Sequence, residues 1–445
     1  PRNSGIISPF NFEEVGFDIT MHPLKKLTCR AFQLAFRLAL PFLPYREPKQ
    51  LDGLDSIPPL LKWSGVGSVL LVTDRSVRSL GLTAPLEKSL AEEGIICAVY
   101  DGTVPNPTIQ NVEEGRQLYL DSGAQAIIAV GGGSVMDCAK GVGARIARPH
   151  KPVRRMKGLL RVLVPTPLTI AVPTTAGTGS EATLAAVITD PEKKHKYPIN
   201  DFALIPDYAV LDPKITLGLP PFITATTGMD ALTHAIESYI GQTTTKLTQA
   251  MSEEAARLIV HNLPRAFADG TDLEARRAML RAAYCAGVSF TRSYVGYVHG
   301  LAHSLGGQYG IPHGLANAVI LPYFLEEYGP ACWEKLGKLA KAAGLAQEGD
   351  SAQQSALAFI AWIKEANRTM GIPETIAELR AEDIPAMARH ADQECNPLYP
   401  VPRLMDRQEL EVMYQKLMAK EASPWISKPS SRTSGPISKL ARRLA

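Results

Sequence analysis

The chain has 445 residues, 45% hydrophobic and 20% charged, with a formal net charge of +3. At roughly 100–200 residues per domain, this length allows two or three domains and a sizeable core. So small a charge leaves no footprint for nucleic acid, and no uncharged apolar run is long enough to span a membrane as a helix.

Residues 1–48 read as an N-terminal extension. The chain opens on Pro1, and Met21 would serve as a start. Residues 25–43 (KKLTCRAFQLAFRLALPFL) mix apolar residues with Lys25, Lys26, Arg30 and Arg37 and read as an amphipathic helix. Packing on its own body or on a sister subunit is the preferred reading, and contact with a membrane surface is the alternative. Residues 49–216 alternate short apolar strands with helical patterns. The strands are 68–73, 95–100, 126–130 and 168–172, with a short apolar piece at 209–211. This alternation implies a parallel sheet covered on both faces. Beyond Pro220 and Pro221 the patterns become long and helical, as at 224–239, 247–263, 272–288 and 352–370. Residues 217–420 are therefore expected as an all-helical domain. Residues 421–445 form a tail that is basic and rich in Ser and Pro. The six cysteines, Cys29, Cys97, Cys138, Cys285, Cys332 and Cys395, form no CxxC pair and are scattered through core-like segments. Reduced thiols in a reducing compartment, the cytoplasm, are expected.

Two glycine-containing loops follow apolar strands. In AIIAVGGGSVMDCAK, Gly132, Gly133 and Ser134 stand between a strand and a helix, where backbone N–H groups and the helix dipole favour a phosphate. In VPTTAGTGSE, Thr174, Thr175, Thr178 and Ser180 crowd hydroxyls onto the end of the next strand, where open α/β sheets bind ligands. A helix cap explains one hydroxyl there but not four. Asp74 ends the first strand. It is placed either to accept from ribose hydroxyls, which favours NAD over NADP, or simply to cap the following helix.

The strongest chemical signal lies in the helical half. Asp230 and His234 are four residues apart in GMDALTHAIESY and share a helical face. His299, His303 and His313 follow in YVHGLAHSLGGQYGIPHG, three of only nine histidines in the chain. One carboxylate and three imidazoles suit a divalent first-row metal and leave room for substrate. Spacing alone does not rank His299 against His303, and Pro312 with its neighbouring glycines turns the chain so that His313 can return.

The segments GGGSVMDCAK, VPTTAGTGSEAT, TGMDALTHAIESY and HGLAHSLGGQYGIPHGLANA, with NPT at Asn106, Pro107 and Thr108, resemble the successive signatures of the iron-containing (group III) alcohol dehydrogenases. The resemblance covers most of the chain. It implies the dehydroquinate synthase-like fold of that family: a Rossmann-like α/β domain and an all-α domain with the site between them. It assigns Asp230, His234, His299 and His313 to the metal, usually Fe(II) and in some members Zn(II) or another divalent ion. It gives His303 a catalytic place near nicotinamide and substrate. It assigns Asn106, Gly132, Gly133, Ser134, Asp137, Thr174, Thr175, Thr178 and Lys196 to the cofactor, and Asp74 to a preference for NAD. A homodimer is implied as well. The implied activity is hydride transfer between a nicotinamide and a metal-activated alcohol or aldehyde. Competing readings are a lyase of the dehydroquinate synthase type, which would release no net NADH, and a catalytically silent scaffold. One departure from the family is the bulky Arg292 and Tyr294 ahead of the histidine segment. They either line the pocket or, as preferred, alter packing at the cleft edge.

Overall fold

The computed structural model describes residues 21–192 and 195–419, so the tail and the first residues of the extension lie outside it. Nine strands are described: β1 (Lys49–Leu51), β2 (Ser68–Val72), β3 (Ile96–Tyr100), β4 (Ala126–Gly131), β5 (Gly158–Leu159), β6 (Leu168–Pro173), β7 (Ala185–Asp190), β8 (His195–Asn200) and β9 (Tyr208–Val210). Six make a sheet in the order β1-β9-β6-β4-β2-β3, every pair parallel. β5, β8 and β7 make a small second sheet with an antiparallel β7–β8 hairpin.

Alternation along the strands builds two cores. Val69, Leu71, Ile128, Val130, Ile170 and Val172 join one cluster with Ile57, Leu61, Leu86 and Leu90. Their neighbours Leu70, Val72, Ile127, Ala129 and Ala171 join the other, with Val112, Ala139 and Val142. Successive side chains point to opposite faces, so near-continuous Val/Leu/Ile strands mark a sheet buried on both sides. β2 has β3 on one side and β4 on the other, so the winding reverses between β2 and β4. Ligands of such sheets bind at that switch, beyond the carboxyl ends of the strands. Asp74, following β2, and Gly132 to Ser134, following β4, sit at that edge.

Helices Pro221–Ile240, Lys246–Ala268, Leu273–Ser293, Tyr297–Tyr309 and His313–Tyr328 begin the second half. From Thr224 to Ile240 only Thr227 escapes full burial, which makes this helix the axis of the bundle. Side-chain caps define the surrounding helices: Thr245 with Thr248, Ser351 with Gln354 and Asp406 with Glu409 form capping boxes, each stabilising by about 1 kcal/mol. The N-terminal helix Pro23–Ala39 docks on this half. Arg30 donates to the carbonyls of Val401 and Pro402 at 2.8 Å, and Gln33 to that of Tyr399 at 2.8 Å.

The two halves meet backbone to backbone. Gly179 has φ +58°, and a Cβ there would stand 2.6 Å from the Ala283 carbonyl oxygen. A Cβ on Gly287 would stand 2.5 Å from the Gly179 carbonyl oxygen. Gly287→Ala should therefore cost about 1–3 kcal/mol by overpacking and shift the loop that carries Thr178. Thermal unfolding and nucleotide affinity are both expected to fall. Gly218→Ala, where a Cβ meets nothing within 4 Å, serves as the neutral comparison.

Candidate metal centre and nucleotide crevice

The bundle brings together four of the five sequence candidates. Asp230 and His234 lie on the axial helix, His299 on Tyr297–Tyr309, and His313 opens the next helix. One donor atom from each of Asp230, His234, His299 and His313 falls within 4.8 Å of the other three. Asp230 Oδ1 is 3.7 Å from His313 Nε2 and 3.9 Å from His299 Nε2. Donors bonded at about 2.1 Å to a tetrahedral ion stand about 3.4 Å apart, so a small side-chain adjustment closes the set.

The chemistry of the cluster fits a cation. His299 Nε2 and His234 Nδ1 are buried without a hydrogen-bond partner. Such orphans cost free energy unless something else satisfies them. The His299 Nδ1 is 2.5 Å from Glu237 Oε2, which holds the proton on Nδ1 and leaves the Nε2 lone pair facing the cluster. Burial, reinforced by the other imidazoles, drives the His299 pKa well below its ordinary value. Burial also lowers His234, and pushes His313 down to about 3 against the opposing pull of Asp230. All three rings are thus neutral near pH 7, the form that binds metal. Asn317 Nδ2 donates to Asp230 Oδ1 at 2.6 Å and lies 3.1 Å from His313 Nε2, so it bridges two of the donors. Phe290 stacks on the His234 ring at 4.2 Å and closes the apolar wall.

The structure separates His303 from this set. It lies one turn beyond His299, stacks on His313 at 5.1 Å between centroids, and keeps 39% of its side chain exposed. Its Nδ1 is 2.6 Å from Glu394 Oε1, which also accepts from the Tyr399 hydroxyl at 2.8 Å. Burial works against the charged ring, but Glu394 outweighs it and the His303 pKa is raised. Burial likewise works against Glu394, yet His303 and Tyr399 hold its carboxyl below the ordinary range.

The nucleotide candidates line the crevice. Gly132 caps the helix Gly133–Ala147, and a Cβ on Gly133 would be 3.0 Å from Thr178, so the two loops abut. Thr174 N–H donates to the Gly131 carbonyl at 3.1 Å, and Thr175 and Thr178 are half-buried beside it. Ser134 Oγ accepts from the Asn106 amide at 3.3 Å, and Lys196 donates to Asn106 Oδ1 at 2.6 Å. Asp137 is half-buried, and desolvation raises its carboxyl to about 6 despite Lys140, the Val187 amide and Lys196. Lys196 is exposed at the crevice rim, where partial desolvation lowers its pKa with Asp137 and Glu394 opposing. Lys196 therefore stands between the two halves. Asp74 caps the helix Arg75–Ser79, its Oδ1 accepting from the Val77 amide at 2.8 Å. Arg292 and Tyr294 turn to the N-terminal segment: Arg292 pairs with Glu47 and covers the Tyr45 ring, and Tyr294 packs edge-on against Phe36.

Five residues that support the site were not singled out in the sequence. Glu237 follows His234 by three residues on the same helix face, a spacing that was available as a signal. Asn317 stands four after His313 in the same way. Lys140 donates to the Ser180, Thr183 and Ala185 carbonyls at 2.7–2.9 Å and so stitches the second loop to the first helix. Glu181 is buried, with one carboxyl oxygen unpartnered and a pKa raised by burial to about 7. Glu394 lies 91 residues from His303, beyond any local pattern.

Residues 50–213 match the family profile "Iron-containing alcohol dehydrogenase", and residues 224–418 match "Fe-containing alcohol dehydrogenase family, C-terminal". The chain is 39% identical over 334 residues to the lactaldehyde reductase of Escherichia coli, covering 74% of this chain and 87% of that one. A solved 1,3-propanediol oxidoreductase superimposes with TM-score 0.80 at 35% identity, covering 84% of this chain and 99% of its own. The sulfoacetaldehyde reductase of Bifidobacterium kashiwanohense, solved with NAD+, does so with TM-score 0.75 at 27% identity, covering 84% and 98%. Matching profiles across both halves, on a parallel switch-point sheet joined to a four-donor helical centre, place the chain in the iron-containing alcohol dehydrogenase family of oxidoreductases acting on CH–OH groups.

Proposed function

We propose that this chain is an NAD-linked alcohol dehydrogenase and aldehyde reductase whose Asp230, His234, His299 and His313 hold one divalent ion, Fe(II) in the first instance and Zn(II) as the substitute. The observation that carries the reading is the common focus of those four donors, with the buried Nε2 of His299 aimed into it and left without a partner. The relatives act on small alcohols and aldehydes by their names, which gives the substrate class. A homodimer and a cytoplasmic location complete the reading. They rest on the family resemblance and on six free cysteines.

When bound, the ion supplies Lewis acidity toward a hydroxyl or carbonyl oxygen, and the nicotinamide supplies the hydride chemistry. The protein's side chains supply position and protons. Asp230 contributes the one formal charge among the donors, and the three imidazoles bind as neutral bases. Asp230, His234 and His299 are buried and His313 is part-exposed, so the focus opens toward the cleft on the His313 side. Glu237 keeps the His299 ring in one tautomer. Phe290 excludes water behind His234. His303, held through Nδ1 by Glu394, has Nε2 left to exchange a proton with the substrate hydroxyl. Glu394, partly exposed, continues that hydrogen-bonded path toward solvent, and the buried Tyr399 hydroxyl orients its carboxylate. Gly132, Gly133, Ser134, Thr174, Thr175 and Thr178 receive the pyrophosphate and nicotinamide side of the cofactor at the switch point. Asn106, Asp137 and Lys196 brace the rim. Asp74 faces the ribose end.

His313→Ala is expected to lose bound metal and turnover together, as read by elemental analysis and NADH formation from a short primary alcohol. His303→Ala is expected to keep its metal while kcat drops by about 10²–10⁴-fold. Full metal content and turnover in the His313 variant would sink the assignment. Glu237→Gln is expected to weaken metal affinity about 10–100-fold, measured by competition with a chelator. Asp74→Gly removes a carboxylate that repels a 2′-phosphate. The ratio of kcat/KM for NAD over NADP should fall by an order of magnitude, and an unchanged ratio would mean that Asp74 is a cap alone.

A further inference from the structure

The N-terminal helix Pro23–Ala39 lies outside both family-profile matches, and it docks on the body in an unusual sense. The face turned inward is Cys29, Gln33 and Phe36, secured by polar bonds from Lys25, Arg30 and Gln33. The face turned outward is Leu24, Leu27, Ala31, Leu34 and Leu38, spaced three and four apart along one stripe. Leu24, Leu27 and Leu38 are each about two-thirds exposed. Phe42, just past the helix, is 87% exposed. A helix of this length carries such a stripe for about 26 Å. Water is a poor partner for so long an apolar line.

A second exposed apolar group adjoins it. Leu159, Leu160 and Leu163 project from the loop around β5. The Leu163 amide donates to Asp201 at 3.0 Å, the next residue, Phe202, packs edge-on against Tyr45 at 4.8 Å, and Tyr45 stands three residues beyond Phe42. The loop is therefore linked through Asp201, Phe202 and Tyr45 to the segment that follows the helix.

The charges carried by the two segments themselves are positive, with acids from elsewhere only at the margins, where Asp392 pairs with Lys25 and Asp190 and Glu192 pair with Arg154. No acidic residue occurs between Asp18 and Glu47, or between Asp137 and Glu181. Lys26 and Arg37 are exposed beside the helix stripe, and Arg155, Lys157 and Arg161 beside the loop leucines. The sequence after Glu421 adds Lys428, Arg432, Lys439, Arg442 and Arg443 with no further acid. A second copy of this chain would present the same positive rim to itself. Leucines and a phenylalanine on segments whose own charges are cations match the acyl boundary and anionic headgroups of a lipid surface.

We propose that the outer stripe of the N-terminal helix, with the adjoining Leu159–Leu160–Leu163 loop, is an interfacial docking surface for a bilayer carrying anionic phospholipid. The helix lies in the plane of the surface with its leucines in the acyl boundary, and the enzyme body stays in water. Among the described residues no helix is long and apolar enough to cross a membrane, so the contact is peripheral.

Flotation of the full chain with vesicles tests this. Phosphatidylcholine vesicles are compared with vesicles of phosphatidylcholine mixed with phosphatidylglycerol. Flotation with the mixed vesicles alone is expected, weakened by raised salt. Lys26→Gln and Arg37→Gln should each lower partitioning about fivefold. Leu27→Glu with Leu34→Glu, and separately Leu159→Glu, should abolish or sharply reduce flotation while turnover in solution stays as in the parent. Flotation with neither vesicle, or equally with both, overturns the proposal. So does undiminished flotation of the leucine variants, or its loss on removal of residues 421–445 alone. If the parent ignores vesicles and Leu27→Glu with Leu34→Glu halves its mass by light scattering, the stripe is a contact between copies instead.

Discussion

Four donor groups at one focus, three of them buried and His313 at the cleft, set the terms for the rest of this molecule. Imidazoles packed as tightly as His234 and His299, with centroids 4.4 Å apart, cannot all be protonated in a buried space. Neutral, they present lone pairs to one point and to each other. Asp230 adds a negative charge at the same point, almost fully buried. Such an arrangement is unfavourable until a cation arrives, because the buried His299 Nε2 and His234 Nδ1 have no partner and forfeit their hydration. The bundle accepts that cost by surrounding the cluster with rigid helices, so that little rearrangement is left for binding.

That rigidity has an address in the sequence. The axial helix is almost wholly buried, and its carboxylates and its imidazole are spent on the site: Asp230 and His234 toward the focus, Glu237 toward His299 and the Val298 amide. The α/β half is built on the same economy. Lys140, buried in the helix after the glycines, places its ammonium among three carbonyls of the second loop. A buried cation is tolerable only when so paired, and the pairing fixes Thr178 and Ser180 relative to Gly133. Close backbone contact at Gly179 and Gly287 then transmits the position of that loop to the helical half.

Much of this was legible from residues alone, and the reasons are physical. Of the four long strands of the main sheet, β2, β4 and β6 carry buried apolar runs and the edge strand β3 a half-exposed one, and the structure ends them within a residue or so of the expected limits. β1 and β5 hold three and two residues, too few for any period to register. The long helices were visible from their pattern, but their starts at Pro221 and Lys246 depend on a proline and a threonine cap, which lie just outside the apolar repeat. Spacing within a helix gave Asp230 with His234 and His299 with His303. It gave no way to choose between the last two, and the family resemblance made the choice. Glu394 and Tyr399 reach His303 through tertiary packing, so nothing near His303 in the chain announces them. The outward turn of the N-terminal leucines was equally hidden. An amphipathic pattern says that one face is apolar, not which face the fold will cover.

His299 and His303 make the deeper point. They are the same residue type on the same helix, one turn apart, and each gives Nδ1 to a carboxylate. Glu237 is buried, and desolvation raises its pKa to about 7. Glu394 sits at the cleft edge, and its partners keep it ionised. The buried pair locks a ring whose other nitrogen points into a closed focus, and the ring stays a base. The edge pair favours a proton on a ring that reaches open space. A ligand and a proton carrier are thus made from one side chain by the depth at which its partner carboxylate lies. Depth is set by the packing of the helix Ile384–Cys395 across Tyr297–Tyr309, which no local spacing encodes.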